Sequence, residues 1–159
     1  MSLDQLKHLA TELAYREAGA SERILPSAHI FQRTEVTVFE AVIYNPVICL
    51  ILQGRKEMNV GQQFVELDEG DVLLVSHDLP VASKITQASM ECPYQALIFS
   101  LDLSILRGLY EQVGEAASHK DHAKSLSAGK ADPAWTEPMV RYLELMNTPM
   151  DAQVLGPMV

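Results

Sequence analysis

Pro46 to Ser89, PVICLILQGRKEMNVGQQFVELDEGDVLLVSHDLPVASKITQAS, is the stretch whose reading decides the fold. Val47-Ile48-Cys49-Leu50-Ile51-Leu52 is an unbroken apolar run, rich in β-branched residues and too short for a typical helix, so it reads as a strand buried on both faces. Gln53-Gly54-Arg55-Lys56 interrupts it, and Arg55-Lys56 reads as a short basic pair in a solvated turn. Glu57-Met58-Asn59-Val60 alternates polar and apolar up to Gly61, and Gln62 to Leu67 resumes the alternation. Asp68-Glu69-Gly70-Asp71 is a turn signal, because glycine adopts the positive φ that other residues avoid. Val72-Leu73-Leu74-Val75 is a second apolar strand. Short strands closely spaced by turns predict a β-sandwich or barrel.

Working outward, Ser2 and Gln5 form a capping box for a helix whose stripe is Leu3, Leu6, Leu9-Ala10 and Leu13-Ala14, with Gly19 as its stop. His29-Ile30-Phe31 begins a strand, and Arg33 to Tyr44 favours β structure with Val36 and Val38 on one face and Thr37, Phe39 and Ala41 on the other. Leu79–Thr86 and Tyr94–Asp102 add two strands, for about eight in all. Beyond Asp102 the spacing turns helical through Leu103, Leu106, Leu109-Tyr110 and Val113, up to Gly114. Glu115 to Ala131 reads as a solvated loop or short helix. Asp132-Pro133 is a cap followed by a helix-starting proline, although Pro138 argues that the regular helix begins nearer itself. Met139, Tyr142-Leu143 and Met146 mark that helix's face. The expected organisation is one domain over 1–159, with a barrel over about 33–102 and a helical part over about 103–159.

Composition sets limits on function. The 159 residues are enough for one buried core, and 48% apolar with 21% charged content is ordinary for a globular chain. A formal net charge of −9 would repel a phosphate backbone, so DNA binding by this chain alone is not expected. Cys49 and Cys92 belong to no paired or metal-ligating motif, which fits a reducing, cytoplasmic setting. No basic-then-apolar leader occurs, and no apolar run reaches the ~18 residues of a membrane helix.

Cys49 to Ser89 also resembles a family. Its GRKEMNVG, GDVLLVSHDLPV and ITQAS segments closely resemble the N-terminal, non-DNA-binding domain of AraC/XylS-type transcriptional regulators, with similarity from about Leu3 to the C-terminus. The resemblance implies a mainly β, cupin-like double-stranded β-helix (a jelly-roll barrel), preceded by one helix and followed by two or three. It implies an effector-sensing and dimerisation domain, not an enzyme, in a homodimeric regulator. The helix-turn-helix half that contacts DNA is expected to be absent from this chain.

Cupin-like barrels also house metal enzymes, whose sites need converging imidazoles and a carboxylate. Of the five histidines, only His77 lies in the central block, and it has no histidine two residues on. His8 is on the first helix and His29 precedes the barrel. His119 and His122 sit in a polar loop without a third ligand. Ser76-His77-Asp78 cannot act as a relay, since successive strand residues face opposite ways. Gly54, Gly61 and Gly70 are turn glycines outside any phosphate-loop motif. No catalytic residue, metal site or cofactor is therefore expected.

Candidate ligand-binding residues are polar side chains at otherwise inward-facing strand positions. Gln53 shares a face with Cys49 and Ile51, Ser83 with Val81 and Ile85, and Gln95 with Leu97 and Phe99. The resemblance places the sugar-contacting positions of the arabinose-responsive member at Gln53, Ser83, Gln95 and Leu97. The residue types differ from that member, which argues against a sugar, and strand-edge or core roles are the plainer alternative for each. His77 and Tyr94 are further candidates. For pairing, the helices offer Leu106, Leu109, Tyr110 and Val113, and Tyr142 and Met146; one helix should cover the barrel and the other meet a second protomer. A ligand-free dimerisation module, or less plausibly a cupin metalloenzyme, is the rival reading.

Overall fold

The computed structural model describes residues 2–16, 23–25, 28–104, 107–108 and 126–145. Its centre is β4 (Val47–Gln53). The strand runs between β7 (Asp71–Val75) and β9 (Tyr94–Ser100), antiparallel to both. Val47, Cys49 and Ile51 project into one core, and Leu50 and Leu52 into another. Its unbroken apolar run has this cause: alternating side chains leave on opposite faces, and both faces are covered.

Two antiparallel sheets result. The larger adds β1 (Arg23–Leu25), β2 (Ala28–Arg33) and β10 (Leu126–Lys130), in the order β1-β2-β9-β4-β7-β10. The smaller is β3 (Glu40–Tyr44), β8 (Leu79–Gln87), β5 (Arg55–Val60) and β6 (Gln63–Leu67), in the order β3-β8-β5-β6. The first core lies between the sheets, where Cys49, Ile51, Leu73 and Tyr94 meet Met58, Leu67, Val81 and Ile85. The second lies on the outer face of the larger sheet. There α1 (Ser2–Arg16) and α2 (Pro133–Leu145) bring Leu6, Ala10, Met139, Val140 and Leu143 against Leu50, Leu52 and Leu97.

Two glycines make turns that side chains would obstruct. Gly54 has φ +86°, and a Cβ there would stand 2.6 Å from the Gln87 carbonyl oxygen and 3.0 Å from the Tyr94 Cα. Gly70, also at +86°, donates its N–H to the Ile51 carbonyl at 2.8 Å.

The structure corrects the sequence reading in several places. Of the Arg33–Tyr44 segment, Arg33 ends β2 and only Glu40–Tyr44 forms a further strand. Val36, Val38 and Phe39 are exposed, and Thr37 instead brackets the β8 backbone: its N–H donates to the Ile85 carbonyl at 3.0 Å and its Oγ1 accepts the Ile85 N–H at 2.9 Å. Residues 126–130, read as loop or short helix, form β10 against β7. Only Leu126 of that strand is buried, and the pairing is reinforced by the Lys130–Asp71 ion pair at 2.8 Å.

The helices also differ from expectation. Among the described residues one complete helix follows the sheets, not two or three; Leu103, Ser104, Arg107 and Gly108 are helical, and the rest of the Leu103–Val113 segment lies outside them. α2 begins at Pro133, with Pro138 inside it. Asp132 caps it, Oδ1 accepting the Ala134 N–H at 2.8 Å, and the proline sits over exposed Ala134, where the missing backbone bond meets solvent.

Candidate functional site

The β5 strand alternates across the smaller sheet. Arg55 and Glu57 turn outward to pair with Asp68 and Lys84, which sends Lys56 and Met58 inward. Lys56 ends up between the sheets, only 6% exposed. Its Nζ donates to the Tyr44 hydroxyl at 2.9 Å and lies 5.2 Å from the centre of that ring, with Tyr94 lining the same cavity end. Tyr44 closes β3 and Tyr94 opens β9, so the cluster draws on both sheets.

A cavity of about 320 Å³ opens beside this cluster. Tyr44, Lys56 and Tyr94 form its polar end, and Val42, Ile85 and Ile98 its apolar walls. Phe31, Thr37 and Ser83 line it as well, together with Arg33 and Glu40. Phe31 stands edge-on to Tyr94 with ring centres 6.1 Å apart, and the Arg33 guanidinium lies 4.2 Å over the Phe31 ring.

The electrostatics of the polar end are set by burial. Loss of water pushes the Cys49 thiol above its ordinary range, with the Lys56 charge pulling it back in part. Burial likewise raises the Tyr94 phenol against the same opposing charge. Both are therefore neutral at pH 7. Burial works against the Lys56 ammonium, but the pull of Cys49, Tyr94 and Tyr44 as they ionise at high pH, with the Tyr44 hydrogen bond, carries its pKa above the usual lysine value. At neutral pH, before those groups ionise, Lys56 is a buried cation beside uncharged partners.

The AraC-type transcriptional regulator N-terminus family matches this chain over residues 24–159. The chain belongs to that family. Among solved structures, the AraC-type domain superposes on ToxT from Vibrio cholerae O395 bound to (E)-4-(8-methylnaphthalen-1-yl)but-3-enoic acid. The TM-score is 0.51 and the identity 14%, over 76% of this chain and 46% of ToxT. A second ToxT structure, a P21 crystal form from Vibrio cholerae, gives 0.51 and 10% over 80% and 55%. A cupin superfamily protein from Desulfitobacterium hafniense gives 0.35 and 21% over 49% and 71%. The chain spans about half the length of the ToxT chains it matches, and the likeness is one of fold. No curated protein matches it.

Of the candidate ligand residues in this AraC-type domain, Ser83 and Tyr94 line the cavity; Gln53, Gln95, Leu97 and His77 do not. Gln53 Nε2 donates to the Pro93 carbonyl at 2.7 Å, fastening the end of β4 to the loop before β9. Gln95 and Leu97 do share a face, but it is the helix-covered one. Leu97 is fully buried in the second core, and Gln95 lies opposite both Gln32 and Gln53 in the sheet. His77 is exposed in the turn before β8, its Nδ1 3.1 Å from Ser76 Oγ.

Among the pairing candidates, Tyr142 packs edge-on against Phe99, with ring centres 5.4 Å apart, on the helix that covers the larger sheet. Leu106, Leu109, Tyr110, Val113 and Met146 lie outside the described residues. So do His119 and His122. Among the described residues, no three His, Cys, Asp or Glu side chains converge to hold a metal, and no helix is long and apolar enough to cross a membrane.

Sequence reasoning missed Lys56 and Tyr44. The signal for Lys56 was its two-residue spacing from Met58, an inward position on the same strand.

Proposed function

We propose that this AraC-type domain senses a small-molecule effector in the cavity between its sheets, and couples that binding to the pairing and DNA contact of a cytoplasmic transcription regulator. The observation that carries the reading is the cavity itself, apolar along its walls and ended by Lys56, Tyr44 and Tyr94. Mostly apolar pockets with a few convergent polar groups are the usual form of small-molecule sites. ToxT, whose fold is similar, has been seen bound to a butenoic acid derivative, which supports a small organic effector here. The domain acts as a sensor and not as an enzyme.

An effector that prefers one arrangement of barrel, N-terminal helix and C-terminal helices shifts the population toward it, and so changes how the DNA-binding halves are presented. α2 commits Met139, Val140 and Leu143 to its own domain. That favours the Leu103–Val113 segment, with Leu106, Leu109, Tyr110 and Val113, as the face pairing two protomers in a homodimer.

A thermal-shift screen of the purified chain against a small-metabolite library, with and without chelator, tests this. A ligand at a hundred times its Kd stabilises by about 2.7 kcal/mol, and Ser83→Phe, which fills the cavity, should abolish the shift. Silence across the library would favour a ligand-free dimerisation module. Destabilisation by chelator would favour a cupin metalloenzyme.

A further inference from the structure

Lys56 lacks a carboxylate partner among the described residues. Their ion pairs are Lys7–Glu69, Arg55–Asp68, Lys84–Glu57 and Lys130–Asp71. Glu40, the acid lining the cavity, is exposed and makes no ion pair with Lys56. A buried charge is ordinarily paired, so a full negative charge is missing from this cluster.

The hydrogen-bond inventory says what kind of group would supply it. An ammonium has three donors and no acceptor. One goes to the Tyr44 hydroxyl, which must therefore accept, keeping its own hydrogen available. The remaining ammonium hydrogens and the Tyr44 and Tyr94 phenol hydrogens gather as donors at the cavity end. A carboxylate, with two oxygens and about four lone-pair sites, accepts from several such donors at once. A sugar hydroxyl is neutral and would leave the Lys56 charge without a counter-charge. A phosphate dianion would bring a second charge with one buried cation to meet it.

The remainder of the cavity sets the rest of the molecule. Val42, Ile85 and Ile98 give it apolar walls, and at about 320 Å³ it stands at the small end of the roughly 300–1,000 Å³ range of ligand pockets.

We infer that the effector is a monocarboxylate with a compact apolar body, its carboxylate seated on Lys56 between the Tyr44 and Tyr94 hydroxyls. This rests on the reading of the cavity as the effector site.

The test is calorimetric titration of the purified chain with a panel of aliphatic and aromatic monocarboxylates of two to ten carbons, each beside its neutral amide. At least one acid should bind at least tenfold more tightly than its amide. Lys56→Met should remove that preference, and Tyr44→Phe, which keeps the ring, should weaken the acid several-fold without affecting the amide. Should Lys56→Met fail to fold, Tyr44→Phe alone decides the matter. Amides binding as well as their acids, or acids indifferent to Tyr44→Phe, would overturn the carboxylate assignment while leaving a sensing cavity in place. No binding by either series, with silence in the wider metabolite screen, would overturn both.

Discussion

Lys56 Nζ donates to the Tyr44 hydroxyl at 2.9 Å, although β5 and β3 are not neighbours: β8 runs between them. The bond reaches past β8 on the inner face of the smaller sheet, and it ends at the cavity.

Removing the acceptor should cost the fold. Tyr44→Phe leaves a buried ammonium with one partner fewer, so the expected destabilisation is about 1–3 kcal/mol. The same change in a Lys56→Met background should cost far less, because the two residues are coupled. Urea denaturation of the four variants measures this, and an equal cost in both backgrounds would dissociate Tyr44 from Lys56.

Gly54 and Gly61 both have positive φ, at 86° and 59°, but only Gly54 is crowded. A Cβ at Gly61 meets nothing within 4 Å, whereas one at Gly54 meets the Gln87 carbonyl oxygen at 2.6 Å. Gly61→Ala should cost about 1 kcal/mol, from the backbone alone. Gly54→Ala should cost clearly more, with loss of the β5–β8 register at that end. Denaturation midpoints of the pair decide it, and similar values would contradict the close approach.

Alkali should destabilise the domain. Cys49 and Tyr94 have folded-state pKa values raised by burial, so each binds its proton more tightly folded than unfolded. The stability they contribute is complete below the unfolded values, and it is lost as pH rises through them toward the folded ones. Lys56, also raised, acts in the same direction. The denaturation midpoint should hold up to about pH 8 and fall above the ordinary thiol value of 9.0. Cys49→Ala should move the onset toward the ordinary phenol value of 10.0. A flat profile through pH 10.5, measured in urea, would contradict the burial.

The same burial makes the two thiols unequal. Cys49 is buried and Cys92 exposed, and reactivity follows thiolate fraction and access. A thiol reagent at pH 8 should modify Cys92 rapidly in the folded chain and reach Cys49 only on unfolding. Two fast thiols would contradict it.

Leu97→Ala should destabilise by about 2–5 kcal/mol, as a cavity cut in the helix-side core, and leave ligand affinity nearly unchanged. Ser83→Phe should do the reverse. Paired denaturation and titration measurements separate the two roles; loss of affinity in the folded Leu97 variant would move the site.

How far the sequence spoke depended on whether pattern alone decides a face. Val47–Leu52 announced a doubly buried strand, because a run without alternation needs cover on both sides. Alternation placed Gln95 with Leu97 and Phe99 correctly, yet could not say which face looks into the barrel, since both faces of the larger sheet are apolar. That is why two of the six ligand candidates, Gln95 and Leu97, lie on the helix-covered side. Lys56 was hidden by its neighbours: beside Gly54 and Arg55 it looks like a turn cation, and only packing against Tyr44 and Tyr94 makes it interior. β10 offered one apolar residue, Leu126, and exists through its ladder to β7. Helix α2 was legible in its stripe but late in its start, because Pro138 is tolerated over an exposed carbonyl.

The most direct measurement is a crystal structure of this chain with the small molecule that stabilises it most in the thermal screen. Density in the cavity, with an acidic oxygen against Lys56 Nζ and the Tyr44 and Tyr94 hydroxyls, is the result predicted. Density elsewhere, for instance in the apolar groove between Phe99 and α2 lined by Trp135 and Tyr142, would contradict it.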